Sequence, residues 1–433
     1  MRRGICLLIC LTYVTALERI NNQLVNKNVE RSIDLTSQLV KISSAITLEN
    51  TGKDSVRSFL VALEPNAVDI SYINVKDSLK DDLKILPAKV DGAKDGVFYN
   101  IMLKQPVDAG RSTTVILEVV LTKRLEPYPS SITQKDKQLV RYFGNHYFYS
   151  PYVTTKQKTE VLLSSRSVEN YTKLKPVAQS DSTITYGPYT NIQPFTVDEM
   201  MVHFENNSPF LTVTRLERII EISHWGNIAI EEHIEIRHTG AQLKGPFSRY
   251  DYQRDTGSTH HSIKAYRTIL PASAHSIYYR DSNGNISTST VRPRKEWIEL
   301  ELRPRFPLFG GWKSSYVLGY SVPSYQYLFK KPSGEYVLTM RLIDHVFDDM
   351  FVEELETSII LPVGVSSVKI DTPYEVERLP DEVTYKYLDN LGRSVIKLRK
   401  TDLVEQHIQD FEITYDWKPQ LLLHEPLSCL LEE

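Results

Sequence analysis

Residues able to do chemistry are few in this sequence, and they are scattered. Histidine can act as a base or a metal ligand, and the one adjacent pair is His260-His261. Neighbouring side chains on a strand point to opposite faces, so two such rings do not converge on one ion, and the pair reads as a solvated loop. A second grouping, His345, Asp348, Asp349, Glu353 and Glu354, has the oxygen-rich composition of a calcium site. Its acidic residues flank the apolar Met350-Phe351-Val352, which reads better as a strand with solvated edges. His146 and His345 stand singly, with no acidic partner at a shared spacing, and read as structural. A glycine-rich phosphate loop, a His-Glu-x-x-His zinc helix and a Gly-x-Ser-x-Gly elbow are all absent. So is a pair of aspartates one residue apart, the arrangement by which many nucleotide-sugar transferases hold a divalent cation. No catalytic, cofactor-binding or metal residue is assigned, and no cofactor is expected.

Recognition chemistry is better represented. The segment Tyr142 to Tyr152 is dense in aromatic rings, which can stack on sugars, form an interface or fill a core; core is the favoured reading. Arg303-Pro304-Arg305-Phe306-Pro307-Leu308-Phe309-Gly310-Gly311-Trp312 carries two prolines and two glycines, which forbid regular strand pairing. It reads as a loop whose Phe306, Phe309 and Trp312 need a partner surface, in their own domain or on another protein. These three are the candidate interface. Asn170, Asn206 and Asn285 head Asn-x-Ser/Thr acceptor sites for glycan. Asn285 follows a turn-rich stretch and should be exposed. Asn206 is a weaker acceptor, because Pro209 directly follows its sequon and restricts the backbone.

Such sites imply a secretory route, and the N-terminus agrees. Arg2 and Arg3 precede the apolar run Gly4 to Val14, which ends at Val14-Thr15-Ala16, the order of a signal peptide. Cleavage is expected between Ala16 and Leu17. Removal would take Cys6 and Cys10 with it and leave Cys429 alone, so no intramolecular disulfide is expected in the mature chain. No later window reaches the ~20 apolar residues of a membrane helix. Leu421-Leu422-Leu423 comes nearest and is cut off by His424, Glu425 and Pro426.

The elements that would position these residues are strands. The chain has 433 residues, 41% hydrophobic and 24% charged, with 51 Lys+Arg against 54 Asp+Glu, too balanced for a nucleic-acid binder. Ile228, Ile230, Ile234 and Ile236 alternate with polar residues, as do Ile298, Leu300, Leu302 and Phe411, Ile413, Tyr415, Trp417. Thr114 to Leu121 and Thr357 to Leu361 are continuous apolar runs suited to strands buried on both faces. Helical periodicity is weak, with short candidates at Val197 to Phe204 and Thr401 to Gln409. The fold class is mainly β: two tandem related β-sandwich-like domains with a few short helices.

The relatedness comes from internal similarity. Glu30 to Thr36 resembles Glu217 to Ser223, and each copy leads to a Thr-Gly turn, Thr51-Gly52 and Thr239-Gly240. His146, Phe148, Tyr152 and Val153 align with His345, Phe347, Phe351 and Val352, and Thr159 to Leu163 with Thr357 to Leu361. The expected division is a signal peptide over 1–16, β-domains over 17–208 and 209–420, and a tail over 421–433.

Four segments carry a family resemblance. Arg303 to Lys313, Asp344-His345-Val346-Phe347-Asp348-Asp349, Leu403 to Asp410, and Gly245-Pro246-Phe247-Ser248-Arg249 resemble signatures of the ribophorin I family of oligosaccharyltransferase subunits. The resemblance spans nearly all of the mature chain. It implies a lumenal pair of β-rich domains followed by a membrane helix and a cytoplasmic tail, in the endoplasmic reticulum. It also implies a non-catalytic role, since another subunit of that complex moves the preassembled glycan from a dolichol lipid to Asn of nascent chains. The implied partners are the catalytic and other subunits and nascent polypeptides, with no nucleic acid. In the family a segment like His424-Glu425-Pro426-Leu427 leads into the membrane helix. Here Ser428 to Glu433 follows instead, so a truncated or alternatively spliced product without a membrane span is expected. The alternative reading is a secreted or lumenal module that binds carbohydrate or protein outside the complex. A stand-alone hydrolase or transferase would need convergent carboxylates or a nucleophile with its base, which the sequence does not offer.

Overall fold

A computed structural model describes residues 17–65, 69–90, 96–254, 261–386 and 392–423. The leader with Ala16, one histidine of the adjacent pair (His260), all three cysteines and the tail beyond Leu423 lie outside those residues. Leu17 opens the first strand, Leu17–Glu18.

The protein is mainly β, and its strands gather around two cores. The first runs in sequence from Leu24 to Phe210, and the second from Leu211 to Trp417. Alternation explains most of the strands. Over Asn227–His238, Ile228, Ile230, Ile234 and Ile236 are at most 1% exposed while the residues between them mostly face outward. Ser112–Leu121 differs from the expectation of burial on both faces. Val115, Leu117, Val119 and Leu121 are buried, Ile116 and Glu118 are half-buried, and only Val120 breaks the alternation.

The internal similarity corresponds to one strand order used twice. In the N-terminal half the order is Thr183–Ile192, Thr154–Leu163, Leu24–Leu35, Val40–Asn50, Ser112–Leu121, Ile70–Asp77. In the C-terminal half it is Arg393–Val404, Phe351–Ile360, Leu211–Ile222, Asn227–His238, Lys313–Pro323, His275–Asp281. Each sheet has one parallel pairing at the same place, Thr154–Leu163 with Leu24–Leu35 and Phe351–Ile360 with Leu211–Ile222. Even the bulge recurs: the antiparallel register slips between Asn26 and Asn28 in one half and between Val213 and Arg215 in the other.

Neither helix candidate is an α-helix. Glu199–Glu205 is a strand, because Met200, Val202 and Phe204 all turn into the first core and the backbone pairs with Leu139–Asn145. Thr401 to Gln409 finishes the Arg393–Val404 strand and then makes one 3-10 turn, Glu405–His407. The α-helix in the described residues is Arg249–Arg254, which buries none of its side chains.

Candidate functional site

The aromatic loop at 303–312 is held by backbone. Leu308 exchanges both main-chain hydrogen bonds with Ile263, at 2.9 and 3.0 Å. Gly310 passes so close to the neighbouring chain that a Cβ there would sit 1.7 Å from the Ala241 carbonyl oxygen, which leaves glycine as the residue that fits. The loop therefore points its middle ring inward. Phe309 is 1% exposed, with Phe247 at 5.5 Å, His261 at 5.7 Å and Trp312 at 5.4 Å between ring centres. It is a core residue docked on its own half, not an exposed contact. Trp312 is half-buried, and Phe306, 45% exposed, leans on its edge. His261 is likewise buried rather than solvated, at 1% exposed, and its carbonyl lies 2.7 Å from Nε2 of His238.

Next to this loop the two halves are joined by main chain. Ser131–Ile132 pairs in parallel with Gln242–Leu243, and Gln134 and Ser248 exchange two hydrogen bonds of 3.0 and 2.9 Å. Gln138, fully buried, accepts from the Ala241 N–H and donates to the Asn206 carbonyl. A second contact zone lies across the same joint. Leu39 and Val120 pack on Phe351 and Val404, Lys41 pairs with Asp349, and Lys123 with Glu353 at 3.0 Å. Gln38 donates to the carbonyls of Leu211 and Asp349, and the Tyr72 ring meets His407 edge-on at 6.0 Å. Three of the four segments that carry the family resemblance reach across this joint, through Ser248, Asp349, and Val404 with His407, while the 303–313 loop lies beside it on its own half.

Metal-ligand geometry occurs once among the described residues, where His345, Asp348 and Glu405 bring ligand atoms within 4.8 Å of one another. Asp349, Glu353 and Glu354 are not part of it; Glu405, far away in sequence, is. Arg267 already spans both Asp348 oxygens at 3.2 and 2.6 Å, and Glu405 accepts the Asp349 N–H at 2.7 Å. The carboxylates are spent on protein donors, which argues against an ion. His146 does have an acidic neighbour, Asp198 at 2.9 Å, contributed by a segment distant in sequence.

The dense aromatic segment fills the first core: Tyr142, Tyr149 and Tyr152 are buried there, Tyr147 and Phe148 are half-buried against it, and Phe143 is exposed. The glycan acceptors differ sharply. Asn285 is exposed in a turn whose carbonyls accept from Arg305. Asn170 is exposed on the Val168–Tyr171 edge strand. Asn206 is fully buried, its Nδ2 donating to the Leu35 and Ser37 carbonyls and its Oδ1 accepting from the Ser208 N–H and hydroxyl.

Fold and joint define a class: a strand-built protein of two repeated halves, held to one another partly by motif-bearing segments. The sequence matches the ribophorin I family over residues 24–431. It is 45% identical over 404 residues to dolichyl-diphosphooligosaccharide–protein glycosyltransferase subunit 1 of Caenorhabditis elegans, covering 92% of this chain and 68% of that one. It is 36% identical over 417 residues to subunit 1B of the same enzyme from Arabidopsis thaliana, covering 93% and 89%. The chain belongs to the ribophorin I family. A solved yeast LTA4 hydrolase overlaps 42% of this chain and 29% of its own at 7% identity and a TM-score of 0.29, too low to bear on the matter. No helix among the described residues is long and apolar enough to cross a membrane.

Proposed function

We propose that the chain is a non-catalytic accessory subunit of the oligosaccharyltransferase complex in the endoplasmic reticulum, with domains at 17–208 and 209–420. It would support transfer of a preassembled glycan from dolichyl diphosphate to Asn of Asn-X-Ser/Thr in nascent proteins. The observation that carries the reading is family membership over 24–431 together with what the family's segments do here. Three of them reach across the inter-half joint through Ser248, Asp349, Val404 and His407, as befits a scaffold. Phe306, on the rim of the docked loop, is the ring left to meet another subunit or a client. Affinity isolation from detergent-solubilised microsomes, using an antibody to the mature chain, tests the proposal. Recovery of the other transferase subunits is expected. Recovery of the chain alone, from extracts in which the rest of the complex stays intact, would overturn it.

The acceptor sites give a second expected result. Peptide mapping of the mature protein should find glycan on Asn285 and none on Asn206. A glycan on Asn206 would replace one of the two Nδ2 hydrogens that now donate to the Leu35 and Ser37 carbonyls, at about 1–3 kcal/mol for the carbonyl left unpaired. Occupied Asn206 with bare Asn285 would contradict this.

A further inference from the structure

His146 and His345 align between the two halves, and the residue before each is a polar side chain sealed in the fold. In the N-terminal half that residue is Asn145, and its amide is fully used. Its Oδ1 accepts from the N–H groups of Tyr147 and Asp198 at 3.1 and 2.9 Å, and its Nδ2 donates to the Thr196 carbonyl at 3.1 Å. In the C-terminal half the residue is Asp344, 1% exposed. One of its oxygens is used: Oδ2 accepts from Arg218 at 2.9 Å and from the Tyr320 hydroxyl. The other, Oδ1, is buried and meets no donor among the described residues. An unmet oxygen on a buried carboxylate is costly, and a donor brought by a ligand would remove the cost.

Asp344 shares the floor of a cleft of about 340 Å³ with Arg218 and Tyr320. The cleft lies at a seam between two small sheets that share the second core with the large one. Ala272 and Glu296 wall it on the side of the sheet containing Tyr266–Pro271 and Trp297–Leu302. Arg341 and Asp410 wall it on the side of the sheet containing Tyr336–Arg341 and Asp410–Asp416. Its volume is that of an ordinary small-molecule site.

The charges in this cleft do not cancel. Three carboxylates, on Asp344, Glu296 and Asp410, line it against two guanidiniums, on Arg218 and Arg341. Arg218 is also paired with Glu232, so its charge is already taken up within the protein. Burial pushes the Glu232 pKa up to about 7, yet with Glu232 protonated the lining alone stays negative. Glu296, Asp410 and Arg341 are exposed, and none of them joins an ion pair among the described residues, although Arg341 stands opposite Asp410 in the strand pairing. Nor do these carboxylates converge as metal ligands do, since the set with ligand atoms within 4.8 Å of one another is the one around His345. Spaced acceptors suit a cation that carries several N–H donors.

We propose that this cleft binds an organic cation, a guanidinium or primary ammonium on a short chain. Glu296 and Asp410 attract it at the mouth, and Asp344 Oδ1 accepts one of its N–H groups at the floor. The matching place in the N-terminal half cannot act this way, because Asn145 is neutral and already saturated.

The test is calorimetric titration of the full chain at pH 7 and physiological ionic strength, which screens non-specific attraction. The probes are agmatine, an end-blocked arginine tripeptide, and the same tripeptide with citrulline, the neutral isostere, in place of arginine. At least one cation should bind saturably at one site, and the citrulline peptide about tenfold more weakly or worse. Binding of the arginine peptide assigns a basic side chain of a polypeptide, and binding of agmatine alone assigns a free amine. Glu296→Gln with Asp410→Asn breaks no ion pair, so this double variant should keep its Tm and bind the cation about tenfold more weakly. Should it not fold, Ala272→Arg on the exposed wall tethers a guanidinium in the cleft and should weaken binding equally. Absence of saturable cation binding, a citrulline peptide bound as tightly as the cations, or undiminished binding in the folded variants would overturn the proposal.

Discussion

Replacing Arg218 by methionine is expected to destabilise the protein by about 3–5 kcal/mol, the usual cost of stranding a buried charge. Glu232 and Asp344 side chains are each 2% exposed, and both lean on one guanidinium. Burial, resisted by Arg218 and aided by the nearby Asp344, already pushes the Glu232 pKa up to about 7. Without the arginine the two carboxylates face each other in a medium that cannot solvate them. Adding Glu232→Gln and Asp344→Asn to Arg218→Met should recover most of the loss, because neutral amides need only hydrogen bonds. Urea unfolding of the parent and the two variants, followed by tryptophan fluorescence, measures this. A single Arg218→Met variant as stable as the parent would show that the triad carries no such charge.

Acidification should destabilise the protein by several kcal/mol between pH 7 and pH 5. His238 and His407 are buried, and each has a main-chain N–H aimed at Nδ1, from Gly240 at 3.0 Å and Val404 at 3.1 Å. That nitrogen must stay an unprotonated acceptor. Burial pulls both pKa values down to about 4, and does the same for His224, stacked 3.7 Å from Trp417. Unfolded histidine titrates near 6.5. Between 6.5 and 4 the unfolded chain therefore holds more protons, so the stability these rings contribute is complete above pH 6.5 and is lost as pH falls. At ~1.4 kcal/mol per unit, His238 and His407 each lose about 2 kcal/mol by pH 5. Glu232 acts with the opposite sign, since its raised pKa favours the folded state as pH drops from 7 toward 4.5, and it offsets part of the loss. Denaturant melts at pH 7 and pH 5 give the difference; equal or greater stability at pH 5 would contradict the argument.

What could be read in the sequence was local. Ile228 to Ile236 announces its strand because one face is buried along its whole length. Val197 to Phe204 misleads for the same reason: Val197, Met200, Met201 and Phe204 have helical spacing, but pairing with Leu139–Asn145 decides the backbone. Proline and glycine marked 303–312 as a loop, but not that Phe309 turns inward, which depends on the backbone at Ala241. The partners that matter most are distant in sequence. Arg31 meets Thr159, Glu405 joins His345, and Asn206 is sealed by Leu35 and Ser37. Pro209 hinted that Asn206 is a poor acceptor, while its burial had no signal in the residues around it. The four family segments were conspicuous, but only the contacts of Ser248, Asp349, Val404 and His407 with the other half reveal a joint.

That joint also has a timetable. Its N-terminal side, Leu39, Tyr72 and Val120, sits on the half whose own core is complete by Phe210, whereas its C-terminal side needs Phe351 and Val404. A ribosome adding about 5–20 residues per second takes roughly 10–40 s to pass from one to the other. For that interval the newborn N-terminal half displays an apolar patch meant for a surface not yet synthesised. Vectorial synthesis thus creates a sticky intermediate that folding cannot hasten, and whatever shields Leu39 and Val120 in the meantime must let go when Phe351 and Val404 arrive.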